Sequence, residues 1–206
     1  MSADEVAAYY RENTGAIRAS LLFINVCGAM IVPFFVVIAL QIKRMQLSSN
    51  ALAYGYLMAV AANAGLLMVA DLVWLVAAFR PDRDPAVIQM LNDIGWVCFT
   101  APVGATIVQS IMLGIAILLD ERPTPIFPRW AGWFNLGVAV LIAPSAFAVS
   151  TQDGVLAWDG ALSFWLRYGA FLVYLLVMFA LVQSAIRRPS DSPSTSLSPS
   201  TQEVLA

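Results

Sequence analysis

Residues 51–79 read ALAYGYLMAVAANAGLLMVADLVWLVAAF. Twenty-nine residues pass here with one ionisable side chain, Asp71, and the run stops at Arg80. About 20 predominantly apolar residues in a helix cross the hydrocarbon core of a bilayer, so this stretch reads as a transmembrane helix with length to spare. An ionisable residue inside such a span is costly, and it faces the bundle interior or a partner rather than lipid. Asp71 lies nine residues before Arg80, about 13 Å along the helix axis. Asn63 and Trp74 fall eight residues before it and three after it, and so share its face.

Four more runs have the same character. They cover about 19–42, ending at Lys43 and Arg44; 86–119, ending at Asp120, Glu121 and Arg122; 130–150, after Pro123, Pro125 and Pro128; and 156–186, ending at Arg187 and Arg188. The run 86–119 is longer than a membrane requires, so its start projects from the bilayer or lies in the interface. Composition agrees: of 206 residues, 60% are hydrophobic and 12% charged, with a mean hydropathy of +0.78. Soluble domains carry roughly twice that charged fraction, about 25%, and a chain this short has too little interior to hide so much apolar surface from water. The fold expected is an all-α integral membrane protein, a compact antiparallel bundle of about five transmembrane helices joined by short loops. Residues 1–18 form a polar N-terminal segment, 19–188 the transmembrane domain, and 189–206 a Ser-, Pro- and Thr-rich tail without apolar residues enough to order it. The apolar run after Arg18 exceeds the length of a cleavable signal sequence.

Lys43, Arg44, Arg122, Arg129, Arg187 and Arg188 fall at one set of helix ends, here the C-side, and Arg11, Arg18, Arg80 and Arg83 at the other, the N-side. Six against four places the C-terminus in the cytoplasm of a cell-membrane protein. Pro33, Pro102 and Pro144 lie inside the first, third and fourth spans, where each removes a backbone donor and kinks its helix. Cys27 and Cys98 both lie in apolar runs and read as small buried hydrophobes. Histidine is absent, which removes the commonest general base and metal ligand. A net charge of -2 argues against a nucleic-acid partner. Neither a metal nor a cofactor is implied.

The intramembrane polar residues concentrate toward the N-side. Asn25, Asp71, Asp93, Asp159 and Arg167 come from four spans and fall at similar depth, whereas the C-side half holds only Gln109, Ser110 and Asn135. The pattern predicts a polar cavity in the N-side half with Trp and Tyr walls, Trp96 and Trp165 being the deepest-set tryptophans. Arg167 calls for a carboxylate partner, for which Asp71 and Asp93 are better placed than Asp159, two turns away on the same helix. Two plainer readings stand beside this one: Asp159 as a helix N-cap, and Asp71 with Arg167 as a structural ion pair. A carboxyl group in a low-dielectric site favours its protonated form, and aromatic faces stabilise cations. These parts suit proton-initiated chemistry on an apolar substrate. They do not suit hydrolysis, since no Ser–His or Cys–His pair is available, nor metal-dependent ionisation of a diphosphate, since no DDxxD motif occurs.

The segments Ala70-Asp71-Leu72-Val73-Trp74, Asn92-Asp93-Ile94-Gly95-Trp96, Pro128-Arg129-Trp130-Ala131-Gly132-Trp133 and Ala157-Trp158-Asp159-Gly160, set among short-looped spans, resemble the small membrane-bound terpene cyclases of bacterial drimane and fungal meroterpenoid pathways. The resemblance covers about residues 18–186 as an overall pattern, and the fungal members have more spans. It implies cyclisation of a prenyl substrate, with Asp71, Asp93 and Asp159 as candidate catalytic acids. Asn25, Asn63, Trp74, Trp96, Trp165, Arg167 and Tyr168 are the candidate substrate-binding residues, the aromatics serving as cation-stabilising walls. Two other classes compete: a non-enzymatic accessory or transport component binding a lipid, a sterol or a partner helix, and a lipid or steroid isomerase. Small-residue patches at Ala61-Ala62-Asn63-Ala64-Gly65 and Gly104-Ala105 permit close helix packing, within the chain or in a homo-oligomer.

Overall fold

A computed structural model of the chain describes residues 1–187; the Ser/Pro/Thr-rich tail expected over 189–206 lies outside the described residues. The described residues form helices and no strand: α1 (Ala3–Gly28), α2 (Val32–Arg44), α3 (Ala51–Phe79), α4 (Pro85–Thr100), α5 (Gly104–Leu118), α6 (Arg129–Ile142) and α7 (Leu166–Arg187). They make five stretches long and apolar enough to cross a membrane: Ala3–Arg44, Ala51–Phe79, Pro85–Leu118, Arg129–Phe147 and Ala161–Arg187.

The polar N-terminal segment is no separate tail. It makes the first turns of α1, opened by a capping box in which the Glu5 N–H donates to Ser2 Oγ and the Ser2 N–H to Glu5 Oε2. Val6, Ala7 and Tyr10 lie on one face of those turns and pack on Ala77 and Ala78 of α3 and Ile88 of α4. The larger core lies toward the C-side and joins α2, α3, α5, α6 and α7 through Ile38, Tyr56, Leu113, Ile142 and Met178. Successive spans pack on one another, α1 and α2 on α3, α3 on α4 and α5, and α5 on α6, and α7 closes the bundle against α2 and α6.

Each proline foreseen as a kink marks a break. A 3₁₀ turn, Ala29–Ile31, separates α1 from α2, whose second residue is Pro33. Residues 101–103 separate α4 from α5 at Pro102, and Pro144 turns the end of α6 into a 3₁₀ segment, Ala143–Phe147. The last span begins with a π-helical turn, Ala161–Trp165. Its entry is fixed by Ser145 Oγ donating to the Ser163 carbonyl and Ser163 Oγ to the Ala157 carbonyl.

The close helix approaches lie elsewhere than the expected small-residue patches. Ala61, Ala62 and Gly65 are exposed, and a Cβ built on Gly65 or Gly104 meets nothing within 4 Å. A Cβ on Gly132 would instead lie 2.7 Å from Leu118 Cγ, and one on Gly114 3.0 Å from the Gly132 carbonyl oxygen. Bare backbone at these two positions lets α5 and α6 touch. At the C-side end, Asp120, only a helix-end marker in the sequence, is buried. It accepts from the backbone N–H groups of Gln46 (3.0 Å), Arg122 (3.2 Å) and Ile126 (3.2 Å), tying two loops together.

Candidate functional site

Asp71 is 1% exposed on α3. Asn25, half-buried on α1, donates from Nδ2 to Asp71 Oδ2 at 3.0 Å. Asp71 Oδ1 is buried and has no hydrogen-bond partner. The Asn25–Asp71 pairing is one the depth argument brought together.

Arg167 does not pair with a carboxylate. Its Nη1 donates to the carbonyl of Phe99 at 3.1 Å and to that of Thr100. The α4–α5 break explains this choice. Pro102 has no N–H to offer the turn before it, and the Val103 N–H turns instead to the Ala101 carbonyl at 2.8 Å. Phe99 and Thr100 thus present carbonyl oxygens that a continuous helix would have occupied, and Arg167 takes both. The guanidinium also lies 5.3 Å from the centroid of the Tyr168 ring.

Between the breaks in the first and third spans lies a cavity of about 280 Å³. It is lined by the α1–α2 turn, α2, the middle of α3, the end of α4 and its break to α5, α5, Ile142 of α6 and α7, with mostly apolar lining. Its polar lining comes from Asn63, Thr106, Gln109, Arg167 and Tyr168. Three of these form one hydrogen-bonded ladder. Thr106 Oγ1 donates to Asn63 Oδ1 at 3.0 Å, Asn63 Nδ2 to Gln109 Oε1 at 3.2 Å, and Gln109 Nε2 to the Tyr174 hydroxyl at 3.4 Å. Tyr174 and Tyr56 hydroxyls lie 3.3 Å apart. The ladder satisfies polar groups that would otherwise be stranded among apolar ones, and leaves the amide edges of Asn63 and Gln109 at the cavity wall. The Tyr168 hydroxyl is buried without a partner.

Comparison with known protein families, with curated proteins and with solved structures finds no match.

The remaining expected site residues fall in several places. Asp93 and Asp159 are exposed, so neither lies in a buried site. Asp93 accepts from the neighbouring Asn92 amide at 3.4 Å. Asp159 precedes the last span, whose N-cap position is Gly160 without a side-chain cap, so the capping reading fails too. Trp165 is 69% exposed and turns outward. Trp74 and Trp96 stack edge-on at 4.9 Å between centroids, one layer away from the cavity rather than on its wall. With Trp158, 4.8 Å from Trp96, Phe99, Phe164 and Tyr168 they form a continuous aromatic cluster. Phe99 and Tyr168 carry this cluster to the cavity, and Phe35 and Phe171 add aromatic surface there. Asp71 and Asn25 do not line the cavity; Leu67 and Met68, one helical turn from Asp71, do, and so does Gly28, three residues from Asn25.

Thr106, Tyr174 and Phe99 are not among the expected site residues, and Gln109 is expected only as a polar residue of the C-side half. Thr106 and Gln109 are three residues apart on one helical face, which is the signal that pairs them. Phe99 sits three residues after Trp96 and was overlooked as an ordinary apolar residue. Both cysteines are free and half-buried, and Cys98 lines the cavity. No group of three or more His, Cys, Asp or Glu suited to a metal occurs among the described residues.

Proposed function

We propose that this chain is a multi-pass membrane protein whose interior cavity binds an apolar molecule of the isoprenoid or lipid class, taken from the bilayer. Insertion is supported by the exposed surface of the five apolar helices, which carries Phe23, Val26, Met30, Met58, Val140 and Leu176. An apolar surface of that extent calls for lipid as its solvent. The single observation that carries the binding reading is the cavity itself: about 280 Å³, mostly apolar, with a few polar groups contributed by α3, α5 and α7. Its size approaches the roughly 300 Å³ lower end of small-molecule sites, and its make-up matches theirs. Ala29, at the α1–α2 break, both lines the cavity and is exposed, which supports entry from the side of the bundle.

The test is mass spectrometry of molecules retained by the protein purified in a mild detergent, for the wild type, Ala64→Phe and Ala61→Phe. Ala64 lines the cavity, while Ala61 is exposed and does not. A retained lipid is expected with the wild type and Ala61→Phe, and at several-fold lower occupancy with Ala64→Phe. Equal occupancy in all three would place any bound lipid outside the cavity.

A second reading, proton-initiated cyclisation of a prenyl chain, is favoured by one observation: the buried, unpartnered Oδ1 of Asp71, one turn from an aromatic-lined chamber. With Asp93 and Asp159 exposed, this reading rests on Asp71 alone. If Asp71 is the acid, Asp71→Asn lowers formation of cyclic product from a linear prenyl substrate by about 10²-fold or more. Unchanged turnover removes it from any mechanism.

A further inference from the structure

The cavity has one charged residue on its wall, and that residue is a cation. Arg167 lines the chamber, and among the described residues no Asp or Glu does. Only its Nη1 is engaged, by the carbonyls of Phe99 and Thr100. Its Nε and Nη2 donors meet no acceptor among the described residues. Asp71, the carboxylate expected to answer it, accepts from Asn25 through Oδ2, while Oδ1 meets no donor, Arg167's included. The carbonyls orient the guanidinium but carry no net charge to offset it. A cation so placed inside a membrane bundle is costly without a counter-charge.

We propose that the counter-charge comes with the ligand: the cavity takes a single-chain amphiphile with a carboxylate head, which pairs with the free Nε–Nη2 edge of Arg167 while its hydrocarbon chain fills the apolar remainder. This rests on the binding reading above and names its ligand class. The free edge of the guanidinium is a planar two-donor fork, the shape a carboxylate receives through both oxygens. Fixing Nη1 on the α4–α5 carbonyls holds that fork in place, so little side-chain freedom is lost on binding. Asn63, Thr106 and Gln109 add polar groups to the cavity lining. A volume of about 280 Å³ suits one short hydrocarbon chain better than two.

The experiment uses the full chain in nanodiscs of neutral phospholipid, with radiolabelled laurate as the probe. Unlabelled laurate, dodecanol and dodecyl phosphate are the competitors, matched in chain length and differing in head. Laurate is expected to displace the probe at a concentration at least about tenfold lower than dodecanol, the ratio for one charge-assisted contact. Arg167→Gln should remove that preference, and Arg167→Lys, which keeps the charge and loses the fork, should retain part of it. The comparison of competitors on the unaltered protein stands even if neither variant folds. Equal displacement by laurate and dodecanol overturns the charge pairing and leaves the apolar cavity as a binding site. Stronger displacement by dodecyl phosphate than by laurate overturns the carboxylate assignment. No saturable laurate binding, with no displacement of any co-purified lipid, overturns the binding reading and this inference with it.

Discussion

Asp71 has two carboxylate oxygens and one donor to serve them. The Asn25 amide meets Oδ2 at 3.0 Å, and leaving a buried acceptor without its donor costs about 1–3 kcal/mol. Removing the amide alone strands the carboxylate, whereas removing both partners strands nothing. Asn25→Ala is therefore expected to destabilise the protein by about 1–3 kcal/mol, and Asn25→Ala combined with Asp71→Leu by less than Asn25→Ala alone. Thermal unfolding in one detergent, followed by circular dichroism, measures both. A double variant less stable than the single one would mean that Asp71 contributes through contacts other than Asn25. The residue scale also shows what sequence could and could not give. Depth along the axis was readable by counting from Arg80, and it put Asn25 and Asp71 together. Azimuth was not. Trp165 and Arg167 are two residues apart, which sends them to opposite sides of a helix: one reaches the cavity wall, and the other is exposed.

At the scale of elements, the prolines were legible because their effect is local: each lacks an N–H and breaks its own span. The consequence of the α4–α5 break at Pro102 was not legible, since the carbonyls the break leaves open are filled by a side chain of α7, 67 and 68 residues away. Asp159 was misplaced for a related reason. Its expected face assumed a regular helix from residue 156, but the span starts at Ala161 with a π turn, so no i, i+4 register links Asp159 to Ser163. The α3–α4 contact offers a test of how elements position the aromatic cluster. A Cβ on Gly95 would lie 2.3 Å from Trp74 Nε1, inside any permitted contact, and Trp74 packs against Trp96 and Phe99. Gly95→Ala forces Trp74 out of this arrangement at a cost of about 1–3 kcal/mol. The expected result is a lower melting temperature with altered tryptophan fluorescence, partly recovered in stability by adding Trp74→Leu. An unaltered melting temperature and spectrum for Gly95→Ala would show that Trp74 does not occupy this position.

For the whole molecule, five apolar runs divided by charged, Pro-containing turns were enough to anticipate an all-helical chain with five long apolar helices, because the length and hydropathy of a span need no knowledge of its neighbours. The larger core and the N-terminal docking of Val6, Ala7 and Tyr10 are long-range matters and were not readable in that way. Five consecutive spans give the insertion reading a sharp consequence: the loops must alternate between two compartments. Ser48 and Thr124 lie exposed in C-side loops, and Asp82 and Gln152 in N-side loops. In a background of Cys27→Ala and Cys98→Ala, each of the four is changed singly to cysteine and treated with a membrane-impermeant maleimide, first in intact cells and then after lysis. Asp82→Cys and Gln152→Cys are expected to label in intact cells, and Ser48→Cys and Thr124→Cys only after lysis, as the six-to-four distribution of Lys and Arg requires. The reverse pattern keeps the five spans and inverts the orientation. Labelling of all four in intact cells defeats the alternation, and with it the lateral route by which a bilayer-borne ligand reaches Arg167.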